Sequence, residues 1–308
     1  MGKASKDKRD IYYRKAKEEG WRARSAFKLL QIDEEFNILQ GCHRVVDLCA
    51  APGSWSQVLS RHLYLPAVAA GKTGDELPKL VAVDLQPMAP LEGIIEIQGD
   101  ITSTSTVEEV ISHFNGHLAD LVISDGAPDV TGLHDMDEFV QSQLILAGLT
   151  VVTHVLRPGG SFVAKIFRGK DIGLLYAQCK IFFPEVHCVK PKSSRNSSIE
   201  AFIVCQHYTP VEGMHPGALN QVLDQRHADA SSGASPEQSV GGIEEILVPF
   251  LACGDLSGYD ADQSYPLEAS QEGAKPYVPL EPVQAPIAPP YKTAIALERK
   301  LHSAPQAR

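Results

Sequence analysis

The chain of 308 residues has six cysteines, at 42, 49, 179, 188, 205 and 253, and none forms a C-x-x-C pair or keeps a regular spacing to histidine. That argues against a zinc site or a disulfide scaffold and for buried, reduced thiols. Long hydrophobic runs are missing too. The longest apolar pattern, 144–156, contains threonine and histidine and is too short to cross a bilayer. The opening MGKASKDKRD has no apolar signal core, and Lys6 stands where a myristoylation motif needs Ser or Thr. A soluble cytoplasmic chain without membrane or metal partners is the expectation. Positive charge is in short supply as well, with 28 Lys+Arg against 38 Asp+Glu and a net charge of -10. A polyanion-binding protein of this sum has to segregate its charge. It does: residues 1–28 hold ten Lys/Arg against four Asp/Glu, whereas 209–308 hold six against thirteen.

Glycine is scarce where a nucleotide site would want it most. In residues 44–57, RVVDLCAAPGSWSQ, a short β-branched run ends in Asp47, small residues and Pro52 force a turn, and a helical pattern begins at Ser54. Strand, tight turn and helix start suit a nucleotide-like ligand, because small residues let backbone approach it and the helix offers unpaired N–H groups. A dinucleotide would call for G-x-G-x-x-G, and only Gly53 is present. Gly71-Lys72-Thr73 ends like a phosphate-binding loop, but the loop's first glycine falls at Pro66. Acids at Asp47 and at Asp84, which ends the strand LVAVD, suit a ligand with a cation and a ribose, which points to S-adenosylmethionine.

Between 44 and 205 seven apolar runs (44–49, 80–84, 94–98, 120–124, 161–166, 185–189 and 200–205) alternate mostly with helical patterns, the longest over 136–156. This order predicts an α/β fold, a doubly wound and mainly parallel sheet with helices on both faces, whose ligands bind outside the carboxyl ends of the strands. Asp47, Asp84, Asp100, Asp125 and Lys165 all fall at or near such ends. Residues 64–79 read as a surface loop.

The stretches DLCAAPGSW (47–55), AVDLQ (82–86), QGDI (98–101), SDGAPDVTG (124–132) and VAKIFRG (163–169) together resemble the FtsJ-type ribose 2'-O-methyltransferase family. The basic front, 5–33, and SSRNSSIEAFIVCQ near residue 200 are similar to its eukaryotic branch, which modifies the tRNA anticodon loop at position 32, wobble position 34 or both. The resemblance implies a Rossmann-like methyltransferase fold whose last strand runs antiparallel between its neighbours, with S-adenosylmethionine as cofactor. It carries a Lys-Asp-Lys-Glu tetrad onto Lys28, Asp125, Lys165 and Glu200, and cofactor contacts onto Gly53, Trp55, Asp84, Asp100 and Asp125. Plainer roles exist for some: Asp100 capping the helix near Ser103, Trp55 as core. A lysine within Phe162-Val163-Ala164 and Ile166-Phe167 is costly to bury without a partner. Burial and Lys28 would lower its pKa while Asp125 and Glu200 would raise it, so residue order leaves open whether Lys165 takes the hydroxyl proton or orients the oxygen. The acceptor itself is a hydroxyl. No cysteine follows Pro or Thr, as attack on a pyrimidine ring requires, and Ser124-Asp125-Gly126-Ala127-Pro128 stands in place of an amino-methylating Asn/Asp/Ser-Pro-Pro-aromatic motif.

Three regions follow. Residues 1–43 form a basic helical segment expected to dock RNA, with Arg22 and Arg24 among the contacts and Tyr12, Tyr13 and Trp21 interleaved for stacking; a solvated helix face is the plain alternative. Residues 44–208 are the methyltransferase domain, to which Lys192 and Arg195 add RNA-binding cations beside Glu200. Residues 209–308 hold twelve of the 21 prolines and an acidic, largely flexible tail. Within it 246–267 is an apolar and aromatic island, able to bury on the domain but expected to dock a partner. In the branch it resembles, that partner includes a WD-repeat protein. Ribosomal RNA as substrate, or a catalytically silent RNA-binding subunit, are the competing readings.

Overall fold

The computed structural model describes residues 10–128, 134–169, 172–211, 250–253, 258–259, 263–265 and 280. Residues 1–9, 129–132 of the SDGAPDVTG stretch and most of the tail beyond 211 therefore lie outside the described residues.

The seven expected strands are present: β1 Arg44–Leu48, β2 Lys79–Asp84, β3 Ile94–Gln98, β4 Ala119–Ser124, β5 Leu156–Phe167, β6 Glu185–Pro191 and β7 Glu200–Gln206. An eighth, β8 Phe250–Cys253, joins them, and the order across the sheet is β3-β2-β1-β4-β5-β7-β6-β8. All pairings are parallel except those of β7, which lies antiparallel between β5 and β6. The sheet changes direction between β1 and β4, and a crevice opens at their carboxyl ends, as the doubly wound topology dictates.

Side-chain alternation divides the interior into two layers. Val45, Leu80, Leu121, Ile123, Val163, Phe202 and Val204 point to one face, and their neighbours Val46, Val81, Val122, Phe162 and Ile203 point to the other. The first face is covered by α1 Ile11–Glu18, α2 Ala26–Phe36 and α3 Ser54–Leu59. The opposite face is covered by α5 Thr104–His113, α6 His134–Val155 and α7 Ile172–Phe182. Residues 64–79 are not wholly loop: the short α4, Leu65–Ala69, lies within them.

Two local outcomes differ from the linear reading. The front segment is two helices, because Gly20 at φ 71° ends α1 and the chain turns before α2. Asp10 starts α1 by accepting hydrogen bonds from the amides of Tyr12 (3.0 Å) and Tyr13 (3.2 Å). The tail island is not wholly free for a partner either. Its residues 250–253 form β8, with Cys253 in register with Pro191, so this part pairs with its own domain.

Candidate active site

The turn after β1 is built on two left-handed residues, Cys49 at φ 55° and Gly53 at φ 95°. Gly53 is needed there for space as well as for φ: a Cβ would sit 2.5 Å from Arg22 Nη1 and 2.9 Å from Met88 Sδ. Asp84, at the end of β2, accepts hydrogen bonds from the amides of Ala51 (2.9 Å) and Gln86 (2.7 Å), fixing the turn to the neighbouring strand. Each of its oxygens keeps a lone pair for a ligand. Asp100 is exposed; its Oδ1 accepts from the amide and hydroxyl of Thr102 (2.9 and 2.8 Å), which lowers its pKa. It stands three residues ahead of Ser103, the N-cap of α5, and does not itself cap that helix. Beside Asp84 lies a cleft of about 170 Å³ lined by Ala82, Asp84, Gln86, Pro87, Met88, Glu96, Ile97 and Gln98, which stands two positions before Asp100.

Asp47 is buried beneath the turn. Its Oδ2 accepts from Ser56 Oγ at 2.6 Å, yet burial, with Asp125 and Asp84 adding to it, pushes the carboxyl pKa up to about 7. Its Oδ1 is buried without a hydrogen-bond partner among the described residues. The indole of Trp55 is core: 1% exposed, packed on Phe202 at 5.6 Å between ring centroids, with Nε1 donating to the Ser25 carbonyl at 2.8 Å. Only its backbone, in the first turn of α3, is in a position to meet a ligand.

Across the crevice the chain brings Lys28, Asp125, Lys165 and Glu200 together from α2, the end of β4, β5 and β7. Lys28 Nζ donates to Glu200 Oε2 at 2.7 Å and lies 4.0 Å from Asp125 Oδ1. Lys165 Nζ lies 2.8 Å from Asp125 Oδ1 and 4.0 Å from Glu200 Oε2. The shorter of these is a charge contact without hydrogen-bond alignment; the bond Lys165 donates goes to the Asp125 carbonyl, at 2.7 Å. Two cations and two anions thus alternate in a nearly closed ring, which is what makes four charges bearable in a largely buried place. Burial works to lower the pKa of Lys165, but Asp125 and Glu200 together outweigh it and the net shift is upward. Burial likewise works against ionised Glu200, and Lys28, Lys165 and a hydrogen bond from Ser194 override it, holding the carboxyl at about 2. Lys165 is therefore an ammonium group and Glu200 a carboxylate at neutral pH.

Among the supporting residues, Gln141 carried no signal in the linear chain because it acts on backbone carbonyls brought close only by folding, whereas Lys190 and Ser194 belong to the 190–196 stretch of cations and small donors that precedes Glu200. Gln141 Nε2 donates to the carbonyls of Gly126 (3.0 Å) and Lys165 (2.9 Å), tying the ends of β4 and β5 together. Lys190 Nζ donates to the carbonyls of Ser198 (2.6 Å) and Glu200 (2.9 Å), and Ser194 Oγ donates to Glu200 Oε1 (2.7 Å).

The expected RNA contacts divide. Arg24 and Arg195 line a cleft of about 250 Å³ with Lys28, Ser194, Ser198 and Glu200. Both also pair with the buried Asp10, Arg195 at 3.3 Å. Lys192 belongs to the same loop, between β6 and β7. Arg22 has a different task. Only 8% exposed, it donates to the carbonyls of Pro52 (2.9 Å), Ala89 (2.7 Å) and Pro90 (3.0 Å), clamping the turn after β1 to the link after β2. Burial lowers its pKa. A guanidinium whose two terminal nitrogens are committed to three carbonyls has little left for a phosphate. Two of the aromatics expected to stack are also occupied: Tyr12 is buried against Phe27, and Trp21 lies under Arg61, 4.2 Å from its ring centre.

The FtsJ-like methyltransferase model matches residues 21–208. A human tRNA (cytidine(32)/guanosine(34)-2'-O)-methyltransferase is 58% identical over 301 residues, covering 97% of this chain and 86% of that protein. The protein of the same description from Schizosaccharomyces pombe is 53% identical and covers 97% and 98%. A ribosomal RNA large subunit methyltransferase E from Methanothrix thermoacetophila is 44% identical but covers 65% of this chain and 73% of its own. Among solved structures, a putative ribosomal RNA methyltransferase from Plasmodium falciparum superposes with a TM-score of 0.54 at 23% identity, covering 62% of this chain and all of that one, a likeness in fold.

Proposed function

Because this chain belongs to the FtsJ-like methyltransferase family, we propose that it is a tRNA ribose 2'-O-methyltransferase of the anticodon loop, acting at position 32, position 34 or both, with S-adenosylmethionine as donor. The observation that carries the chemistry is the Lys28–Asp125–Lys165–Glu200 ring, closed within 4.0 Å. The substrate follows from how far the likeness extends: relatives described as tRNA enzymes match 97% of the chain, tail included, whereas the ribosomal RNA enzyme matches 65%.

The site's chemistry fits the cofactor. Ribose hydroxyls and an adenine amino group are donors, and the acceptors that would meet them are Asp84, which lines the cleft at the ends of β2 and β3, and Asp100, just after β3. The unpartnered Oδ1 of Asp47 leaves an acceptor beneath a turn shaped for backbone approach by Gly53. Trp55 contributes through its backbone, and Arg22 holds the turn in shape. When bound, the cofactor supplies an electrophilic methyl group on a positively charged sulfur. Among the described residues no helix is long and apolar enough to cross a membrane, consistent with work in the cytoplasm on a soluble RNA.

What the protein must do is place one ribose hydroxyl, keep water from competing, and let the hydroxyl proton leave. Lys165 is an ammonium held in position by Asp125 and Glu200, so it fixes the acceptor oxygen as a hydrogen-bond donor and turns a lone pair of that oxygen toward the donor side. It is unable to take a second proton, and the released proton leaves to water at the open side of the 250 Å³ cleft. Lys28 sets the position of Glu200, and Asp125 faces both the cofactor turn and Lys165. Arg24, Arg195 and Lys192 carry the phosphates flanking the target ribose. A WD-repeat partner, expected from the family resemblance, would meet the tail along β8, whose outer side is the edge of the sheet.

The deciding experiment is mapping of 2'-O-methyl groups in tRNA and ribosomal RNA from cells lacking the protein, with methylation of purified RNAs by the full chain in parallel. Loss at tRNA positions 32 or 34 is expected. Loss confined to ribosomal RNA supports the second substrate, and no loss from either supports the silent subunit.

A further inference from the structure

Three described contacts bring the tail to the front helix. Tyr12 Oη donates to the Tyr259 carbonyl (3.4 Å), Arg14 donates to the Tyr265 carbonyl (3.4 Å), and the Leu280 amide donates to the Lys17 carbonyl (3.2 Å). The same segment leaves the sheet at its ligand-binding end, since Cys253 of β8 is level with Pro191, the residue before Lys192-Ser193-Ser194-Arg195. The described residues of the tail thus lie on the side of the cleft that holds Arg24, Arg195 and Glu200. Asp10 links the two places, because it caps α1 at one end of this contact and pairs with Arg24 and Arg195 at the other.

On this path two rings stand against each other. Tyr259 and Tyr265 meet edge to face, 4.7 Å between centroids at 79°, and Lys15 Nζ lies over the Tyr259 ring at 4.9 Å. Tyr259 is nevertheless 38% exposed. Its described contacts use its backbone carbonyl and its ring. The arrangement is an oriented, partly exposed aromatic ring with a cation over one of its faces, next to a cationic cleft. That is the composition by which proteins hold an unpaired nucleobase: stacking on the ring, phosphate charge met by the lysine. An apolar protein partner would not require the flanking Lys15, and two of the three stacking aromatics expected in the front segment, Tyr12 and Trp21, are buried.

We propose that Tyr259, braced by Tyr265 and Lys15, is a base-stacking platform for an unpaired loop nucleotide flanking the methylated ribose, so that the tail is part of the substrate site. The inference rests on the RNA substrate assigned above. The test uses the full chain and a synthetic anticodon stem-loop carrying 2-aminopurine in turn at each loop position beside the target. Stacking quenches the fluorescence of one of these probes in the wild type. Tyr259→Ala abolishes the quench and weakens stem-loop binding by roughly 5- to 150-fold, the range of one lost aromatic–base stack, while cofactor affinity stays as it was. Tyr259→Phe keeps both the quench and the affinity, because the ring is retained. Wild-type quenching and binding in Tyr259→Ala overturn the platform while leaving the methylation reading intact. Unchanged RNA behaviour with lost capture of an accessory protein also overturns it, and makes this face a protein-docking surface. A wild-type chain that neither binds nor methylates the stem-loop overturns the substrate reading itself, and this inference with it.

Discussion

Lys165→Ala separates positioning of the acceptor from every other task of the site. The side chain is 9% exposed, 2.8 Å from Asp125 Oδ1 and 4.0 Å from Glu200 Oε2. At the effective dielectric of about 20 suited to such sites, the two attractions amount to about 6 and about 4 kcal/mol. Most of this is offset, because the ammonium no longer has to be desolvated and its repulsion with Lys28 disappears. The residue left worst off is Asp125, whose next cation, Lys28, is 4.0 Å away; Glu200 keeps Lys28 at 2.7 Å. Breaking a buried pair on one side costs about 3 to 5 kcal/mol, and we expect the low end because Asp125 retains some solvent contact. Lys165→Met, which keeps most of the volume, serves as companion if the alanine variant is too unstable. Under single-turnover conditions with unmodified tRNA, saturating cofactor and any accessory protein that wild type needs, both variants should lose 10²-fold or more in rate, on the order of 3 kcal/mol in barrier. Cofactor affinity should change less than about threefold, since Asp84, Asp100 and Gly53 are untouched, and RNA affinity only modestly, since the phosphates are met elsewhere. Near-normal methylation, or a loss removed by adding more cofactor, refutes the argument.

Three further outcomes follow from the same geometry. Asp84→Ala removes the acceptor for the Ala51 and Gln86 amides as well as the proposed ribose contact, so calorimetry should show cofactor binding weaker by about 1 to 3 kcal/mol; unchanged affinity would remove Asp84 from the site. Arg22→Ala should weaken cofactor binding but leave the salt dependence of RNA binding as in wild type, whereas a slope lower by about one would mean Arg22 contacts phosphate after all. Glu200 has its folded pKa depressed from 4.5 to about 2. Its contribution, on the order of 3 kcal/mol, is therefore fully present above pH 4.5 and fades as pH falls toward 2. Melting temperatures between pH 5 and 2 should fall more steeply for wild type than for Glu200→Gln, and parallel curves would contradict the ring's charge state.

Local pattern was enough for the strands, their order of alternation with helices, and the turn at Gly53, because each depends on residues close in sequence: a period of two, a small-residue turn, a helix start. The tetrad was legible only as four separate motif positions, and the linear chain left the charge of Lys165 open, since burial and neighbouring carboxylates pull it in opposite directions. The structure decides that balance by distance, bringing two carboxylates within 4.0 Å of its Nζ. Folding also gave several basic and aromatic side chains tasks other than those their type suggested. Arg22, expected to contact RNA, faces three carbonyls instead of solvent; Tyr12 and Trp21, expected to stack on bases, are buried; and the indole of Trp55, expected at the cofactor, fills core. A basic or aromatic side chain in sequence carries no mark of which way its helix will turn. The tail is the clearest case. Its composition reads as a linker with an island, and pairing between residues about sixty positions apart turns part of that island into an edge strand on β6. Such long-range registers, like the carbonyl contacts of Gln141 and Lys190, arise from the packing of whole elements, so tertiary structure alone could supply them.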